Sequence, residues 1–126
     1  MNIKGNSEIK TIMAARRFVD SIYALTEESA ERPEGENTRQ LRRYSLVMME
    51  GLMDGLLSSE RSSPLKTIIR AEKFLQEVKW NLCLGLESGL MPRQSFYMIL
   101  NLSKEIQELL GDMKKDIPEE QKREIQ

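Results

Sequence analysis

Four stretches of the sequence carry apolar residues three and four positions apart, which places those residues on one face of an α-helix. The stretches are separated by short segments that contain Pro, Gly, Ser or Asn, residues that favour turns. None of the stretches alternates apolar and polar residues with the period of two that indicates a strand. The sequence therefore predicts an all-α fold with helices at about residues 8–29, 39–58, 64–88 and 93–115 and a charged tail at 117–126.

Residues that favour helix ends lie at the boundaries of these stretches. Ser7 and Thr38 carry hydroxyl groups that can cap the first and second helices. The third helix has the clearest bounds, with Ser63 as its cap, Pro64 at its first position and Gly89 just beyond its end. The fourth helix is expected to have Pro92 at its first position and to stop or kink at Pro118.

The expected core consists of the apolar faces of the four helices. Gly51 and Gly55 lie four residues apart beside the second face, and this spacing predicts close approach of another helix at both positions. Cys83 lies in an apolar run and is expected to pack as a small apolar residue. The residues predicted to be buried are Ile9, Ile12, Met13, Phe18, Val19, Ile22, Tyr23, Leu41, Tyr44, Ser45, Met48, Leu52, Leu56, Ile68, Ala71, Leu75, Val78, Leu82, Leu86, Phe96, Ile99, Ser103, Ile106, Leu110 and Met113.

Helices of this length joined by short loops favour antiparallel neighbours, which predicts an up-down-up-down four-helix bundle. A chain of 126 residues has room for one such domain, 1–126. Further apolar residues outside the main faces indicate a second face that could be buried against copies of the chain. These residues are Phe74, Trp80, Leu84, Leu100, Leu102 and Leu109.

Composition argues against catalysis and against a membrane span. The chain has no histidine, which excludes a Ser-His-Asp or Cys-His site and a di-iron site of the Glu-x-x-His type. Neighbouring carboxylates such as Glu27 and Glu28 diverge on a helix surface, so we expect no catalytic residue, no metal and no cofactor. A content of 40% hydrophobic and 31% charged residues, with no secretory signal after Met1, predicts a soluble cytoplasmic protein that binds no membrane.

Charge is distributed unevenly along the chain. Eight basic and five acidic residues lie between Arg39 and Lys79, a local net charge of +3, whereas the whole chain carries −1. Three arginines fall in the predicted first turns of the second helix, where the helix dipole disfavours cations. A polyanionic partner would offset that effect, although a charged helix face is most often simply solvated. The candidate binding residues are Arg39, Arg42, Arg43, Lys66, Arg70, Lys73 and Lys79.

From Ile9 to Lys115 the sequence resembles a bacterial four-helix-bundle superfamily. Its members are the proteins encoded in 23S rRNA intervening sequences and the accessory variability determinant (Avd) proteins of diversity-generating retroelements. "LRRYS" and "MDG" are similar to elements of the second helix in the ribosomal branch, and "AEKFLQEVKWNLCLGLESGLMPRQSFYMI" resembles a segment of both branches. Lys79 and "EIQELLGDM" favour the Avd branch. The chain departs from the family pattern at Cys83, Asp112 and Met113.

This resemblance implies a non-catalytic protein that assembles as a homopentameric ring with a basic surface. In the Avd branch the ring binds a reverse transcriptase and nucleic acid and supports mutagenic cDNA synthesis from a template RNA. Two alternatives stay open. One is a protein of the ribosomal intervening-sequence branch, whose role is undefined, and the other is a protein-interaction bundle that binds no nucleic acid, in keeping with a pI of about 5.7.

Overall fold

The computed structural model describes residues 5–58 and 63–123, and this part of the chain is helical, with no strand. Residues 1–4, 59–62 and 124–126 lie outside the described part. They include the start of the polar N-terminal stretch, Arg61 of the basic middle section and the end of the charged tail. The described helices are α1 (Asn6–Leu25), α2 (Glu27–Glu31), α3 (Glu36–Leu57), α4 (Pro64–Glu87), α5 (Arg93–Lys115) and α6 (Glu119–Arg123).

The four long helices share one hydrophobic core. α3 packs against α1 and α4, and α5 also packs against α1 and α4. α3 and α4 run antiparallel, because Gly55 near the end of α3 meets Thr67 near the start of α4, while Thr38 near the start of α3 approaches Gly85. The predicted all-α class is confirmed.

The first two predicted helix starts are wrong. α1 begins at Asn6, and Ser7 lies inside the helix, where its carbonyl oxygen accepts a hydrogen bond from the Thr11 hydroxyl. α3 begins at Glu36, and the buried Thr38 hydroxyl donates to the carbonyl oxygen of Gly35 at 2.9 Å instead of capping the helix. Position 35 tolerates only glycine, because a Cβ there would collide with the backbone of α2.

The predicted end of the first helix at residue 29 is also wrong, since α1 ends at Leu25 and a separate α2 spans Glu27–Glu31, whereas the later helix bounds agree closely with the predicted ones. The Ser63 hydroxyl accepts a hydrogen bond from the backbone N–H of Lys66, and Gly89 adopts the left-handed φ of 76° beyond the end of α4. α5 spans Arg93–Lys115, as predicted, although Pro92 lies just before the helix and not at its first position. After Pro118, part of the predicted tail forms α6.

The buried face of α1 differs from the predicted one. Ile9 and Met13 are 45% and 55% exposed, so their prediction as core residues is wrong. Small side chains occupy the buried face instead, namely Thr11, Ala14 and Ala15. Apolar periodicity alone gives small residues too little weight.

Most other predicted core residues are buried, and five are only partly so, namely Ile12, Tyr23, Tyr44, Leu86 and Phe96. Cys83 is exposed, so its prediction as a packed residue is wrong. Within the described residues, no helix combines the length and apolar character needed to cross a lipid bilayer.

Candidate nucleic-acid interface

The three arginines of α3 lie further along their helix than the sequence predicted. Because α3 begins at Glu36, Arg39 is its fourth residue, and Arg42 and Arg43 lie in the second turn. The helix dipole acts mainly within the first turn, which here carries the acidic Glu36. The predicted unfavourable interaction with the dipole is therefore wrong for Arg42 and Arg43.

Arg39 stabilises the turn between α2 and α3. Its Nη1 donates to the backbone carbonyl oxygens of Ala30 and Arg32, both at 2.9 Å, and these carbonyls lie where α2 ends. Its Nη2 donates to Oε2 of Glu36 at 3.1 Å. Hydrogen bonds from Arg39 and then from Gln40 lower the pKa of the exposed Glu36 carboxyl. Arg39 is thus committed to contacts within the fold.

Arg42 joins α3 to α1. Its guanidinium carbon lies 4.3 Å from the centre of the Tyr23 ring, and its Nη2 donates to the Tyr23 carbonyl oxygen at 3.4 Å. The side chain is half-buried, and its Nε is buried without a hydrogen-bond partner among the described residues. This geometry leaves little of the guanidinium free for a ligand.

Two aromatic rings, one on α3 and one on α4, lie close together, and Arg43 and Arg70 flank them. The Arg43 guanidinium lies 6.0 Å from the Tyr44 ring, and the Arg70 guanidinium lies 5.8 Å from the Phe74 ring. The Tyr44 and Phe74 rings are 6.2 Å apart and inclined at 38°. We call Arg43, Tyr44, Phe74 and Arg70 the arginine–aromatic array. It presents exposed positive charge beside half-buried π surfaces.

A groove of about 470 Å³ runs between α3 and α4 next to the array. Arg70 and Phe74 belong to both features, and Lys66 adds a second cation to the groove. Asp54 contributes a carboxylate from α3. The predicted close approach is confirmed at Gly55, where a Cβ would collide with Thr67, and is wrong at Gly51, where a Cβ would meet no atom within 4 Å.

The remaining two candidate lysines lie on the side of α4 that faces α5. Lys79 donates from Nζ to Oε1 of Gln107 at 2.6 Å, and Lys73 lines a depression of about 290 Å³ that also includes Gln107. Glu72 lines the same depression and pairs with Lys114 at 2.8 Å. Of the seven candidate residues, the structure brings three together along the α3–α4 side: Arg43, Lys66 and Arg70.

The aromatic members of the array and Asp54 were not among the predicted site residues. A local signal for them exists in the sequence, because Tyr44 follows Arg43 directly and Phe74 follows Arg70 by four positions, a spacing that brings helix side chains together. The two pairs, Arg43 with Tyr44 and Arg70 with Phe74, lie together only because of the register between α3 and α4. No local sequence pattern specifies that register.

The candidate interface has no features of a metal site. Within residues 5–58 and 63–123, no three Cys, Asp or Glu side chains lie close enough together to bind a metal ion. What the α3–α4 side offers instead is guanidinium and ammonium groups for anions and aromatic faces for stacking. Comparison with protein-family models, curated proteins and solved structures finds no match to this chain.

Proposed function

We propose that the protein is a non-catalytic accessory subunit of a diversity-generating retroelement. In this role it binds a reverse transcriptase and the template RNA and supports mutagenic cDNA synthesis. The proposal is supported by the resemblance of residues 9–115 to the Avd branch and by the arginine–aromatic array. The resemblance indicates the biological setting, and the array supplies chemistry suited to an RNA ligand.

The arginine–aromatic array is the structural feature that most directly supports RNA binding. Guanidinium groups bind phosphate oxygens, and stacking of a base on an aromatic ring contributes about 1–3 kcal/mol to binding of single strands. The array combines both groups on one side of α3 and α4, with Arg43 and Arg70 as the phosphate ligands. Its contacts carry little sequence preference, because every nucleotide has a phosphate and every base has an aromatic face.

The proposed assembly is an up-down-up-down bundle in a homopentameric ring. The antiparallel pairing of α3 and α4 and the shared core support the bundle, while exposed apolar side chains support contacts between copies. Light scattering during size-exclusion chromatography should give five times the chain mass of 14.6 kDa. A ring would repeat the array around one axis and raise its avidity for RNA.

The test of function is reconstitution with the reverse transcriptase and template RNA of a retroelement. The wild-type protein should copurify with the polymerase and stimulate cDNA synthesis, and the double variant R43E/R70E should lose stimulation. The matched control is R16E/R93E, which changes two exposed arginines outside the array. Equal stimulation by both double variants would overturn the role of the array.

The second candidate function is a protein-interaction bundle that binds no nucleic acid. Exposed apolar residues on α4 and α5 favour it, since Trp80 is 64% exposed and Tyr97 and Met98 are about half exposed. Large exposed apolar side chains commonly mark protein contacts. Copurification with a partner protein, together with no RNA binding at low salt, would favour this function over the first.

A further inference from the structure

Gly51 lines the groove between α3 and α4. A Cβ at this position would meet no atom within 4 Å, whereas a Cβ at Gly55, one turn later, would collide with Thr67. Glycine inside a helix destabilises it by up to about 1 kcal/mol relative to alanine. Packing therefore explains Gly55 but not Gly51, which leaves its part of the groove wall without a side chain.

The walls of the groove carry groups of complementary chemistry. The half-buried Phe74 provides apolar surface above the buried Met48 and Leu52, and Lys66 and Arg70 provide two cations. Neither cation has a carboxylate or other polar side-chain partner among residues 5–58 and 63–123, and the Arg70 guanidinium lies 5.8 Å from the centre of the Phe74 ring. Asp54 is the carboxylate of the groove. This set fits a ligand with a flat apolar part, a negative group and a hydrogen-bond donor.

We propose that this groove holds one unstacked nucleotide of single-stranded RNA whose base carries an exocyclic amino group. The base lies over Gly51 and against Phe74, its phosphate contacts Lys66 and Arg70, and Asp54 accepts a hydrogen bond from the amino group. The volume of about 470 Å³ lies within the range of roughly 300–1,000 Å³ found for pockets that bind small ligands. The inference rests on the proposed RNA-binding function and deepens it by naming the form of RNA.

Two preferences follow from this geometry. A base in a duplex is paired and stacked, so it cannot enter the groove unless it is extruded. Uracil presents carbonyl oxygens where cytosine presents an amino group, so a carboxylate discriminates against it. The protein should therefore prefer single strands to duplexes, and oligo(C) to oligo(U).

The experiment measures fluorescence anisotropy of labelled RNA 12-mers with full-length protein. Gly51→Leu should fill the groove without changing a charge and weaken oligo(C) binding about tenfold, while binding of duplex RNA stays unchanged. Gly111→Leu is the matched control, because Gly111 is also helical and a Cβ there also meets no atom within 4 Å. It should bind both RNAs as the wild type does.

Asp54→Asn provides an independent variant that leaves the groove open. Wild type should bind oligo(C) about tenfold more tightly than oligo(U), and Asp54→Asn should reduce this preference to about twofold or less. Circular dichroism should show unchanged helix content for all three variants. Should Gly51→Leu fail to fold, the base preference of Asp54→Asn still tests the proposal.

The outcomes separate this inference from the proposed function. If R43A/R70A weakens RNA binding and Gly51→Leu binds oligo(C) as the wild type does, the groove holds no nucleotide and the array alone binds RNA. If the wild type binds no RNA, both proposals fall. If a hexaglutamate peptide binds and Gly51→Leu abolishes its binding while oligo(C) does not bind, the occupant is an acidic peptide and the nucleotide proposal is overturned.

Discussion

Tyr44 and Phe74 lie 6.2 Å apart between ring centres and join α3 to α4 at the point where two arginines flank them. The ring pair belongs both to the contact between the helices and to the proposed RNA surface. Each ring is partly buried against the core, so one face of the pair supports the fold. Both arginines are exposed, and Arg43 also donates from Nη2 to Oε1 of Gln40 at 2.7 Å.

Replacement of Phe74 by leucine should weaken RNA binding while keeping the fold. Leucine keeps apolar volume against the core but removes the aromatic face, and base stacking is worth about 1–3 kcal/mol per base, so we expect affinity to fall about tenfold. Anisotropy with single-stranded RNA measures the loss. Phe96→Leu is the control, because Phe96 is also partly buried against the core but lies on α5. Equal losses in the two variants would contradict a role for the Phe74 ring.

Gly55→Ala should destabilise the protein, and Gly51→Ala should stabilise it. The added methyl group at position 55 collides with Thr67, and overpacking costs about 1–3 kcal/mol, more than the roughly 1 kcal/mol that alanine gains in helix propensity. At position 51 the added methyl group meets no atom within 4 Å, so only the gain in helix propensity applies. Urea unfolding should give a lower free energy of unfolding than the wild type for Gly55→Ala and a higher one for Gly51→Ala. Gly55→Ala combined with Thr67→Ala should recover part of the loss.

Arg42→Ala should destabilise the fold, whereas Arg43→Ala should not. Arg42 loses its contact with the Tyr23 ring and its hydrogen bond to the Tyr23 carbonyl, together worth about 1–2 kcal/mol. Arg43 is exposed, so its removal should change stability by no more than about 0.5 kcal/mol. Thermal unfolding should separate the two variants. Equal melting temperatures would show that the Arg42 contact contributes nothing.

Glu36 should make the stability of the α2–α3 turn depend on pH. Hydrogen bonds from Arg39 and Gln40 lower the pKa of Glu36 in the folded state below its ordinary value of 4.5. The stabilisation is therefore fully present above pH 4.5 and disappears as the pH falls through the lowered pKa. The difference in urea midpoint between wild type and Glu36→Gln should be present near neutral pH and vanish in acid. A difference independent of pH would contradict this pairing.

Helix ends with strong local signals could be predicted from the sequence, as at Ser63, Pro64 and Gly89. The starts of α1 and α3 could not, because a hydroxyl that can cap a helix can also bond back to the preceding turn, as Thr38 does. For the site, charge patterning identified the basic residues but could not show their partners. Arg39 contacts backbone carbonyl groups that the tertiary structure brings near it, so it stabilises the fold and is not available to bind a ligand. Charge patterning cannot reveal such contacts.

The proposed function depends on RNA binding by the arginine–aromatic array through phosphate contacts. Its most direct test is the dependence of RNA affinity on salt concentration for the wild type and R43A/R70A, with R16A/R93A as the control. Each lost phosphate contact should reduce the slope of log affinity against log salt by about 0.7–0.9, so R43A/R70A should lose about 1.4–1.8. The control should keep the wild-type slope. Equal slopes for the wild type and R43A/R70A, or no RNA binding by the wild type at low salt, would contradict the account.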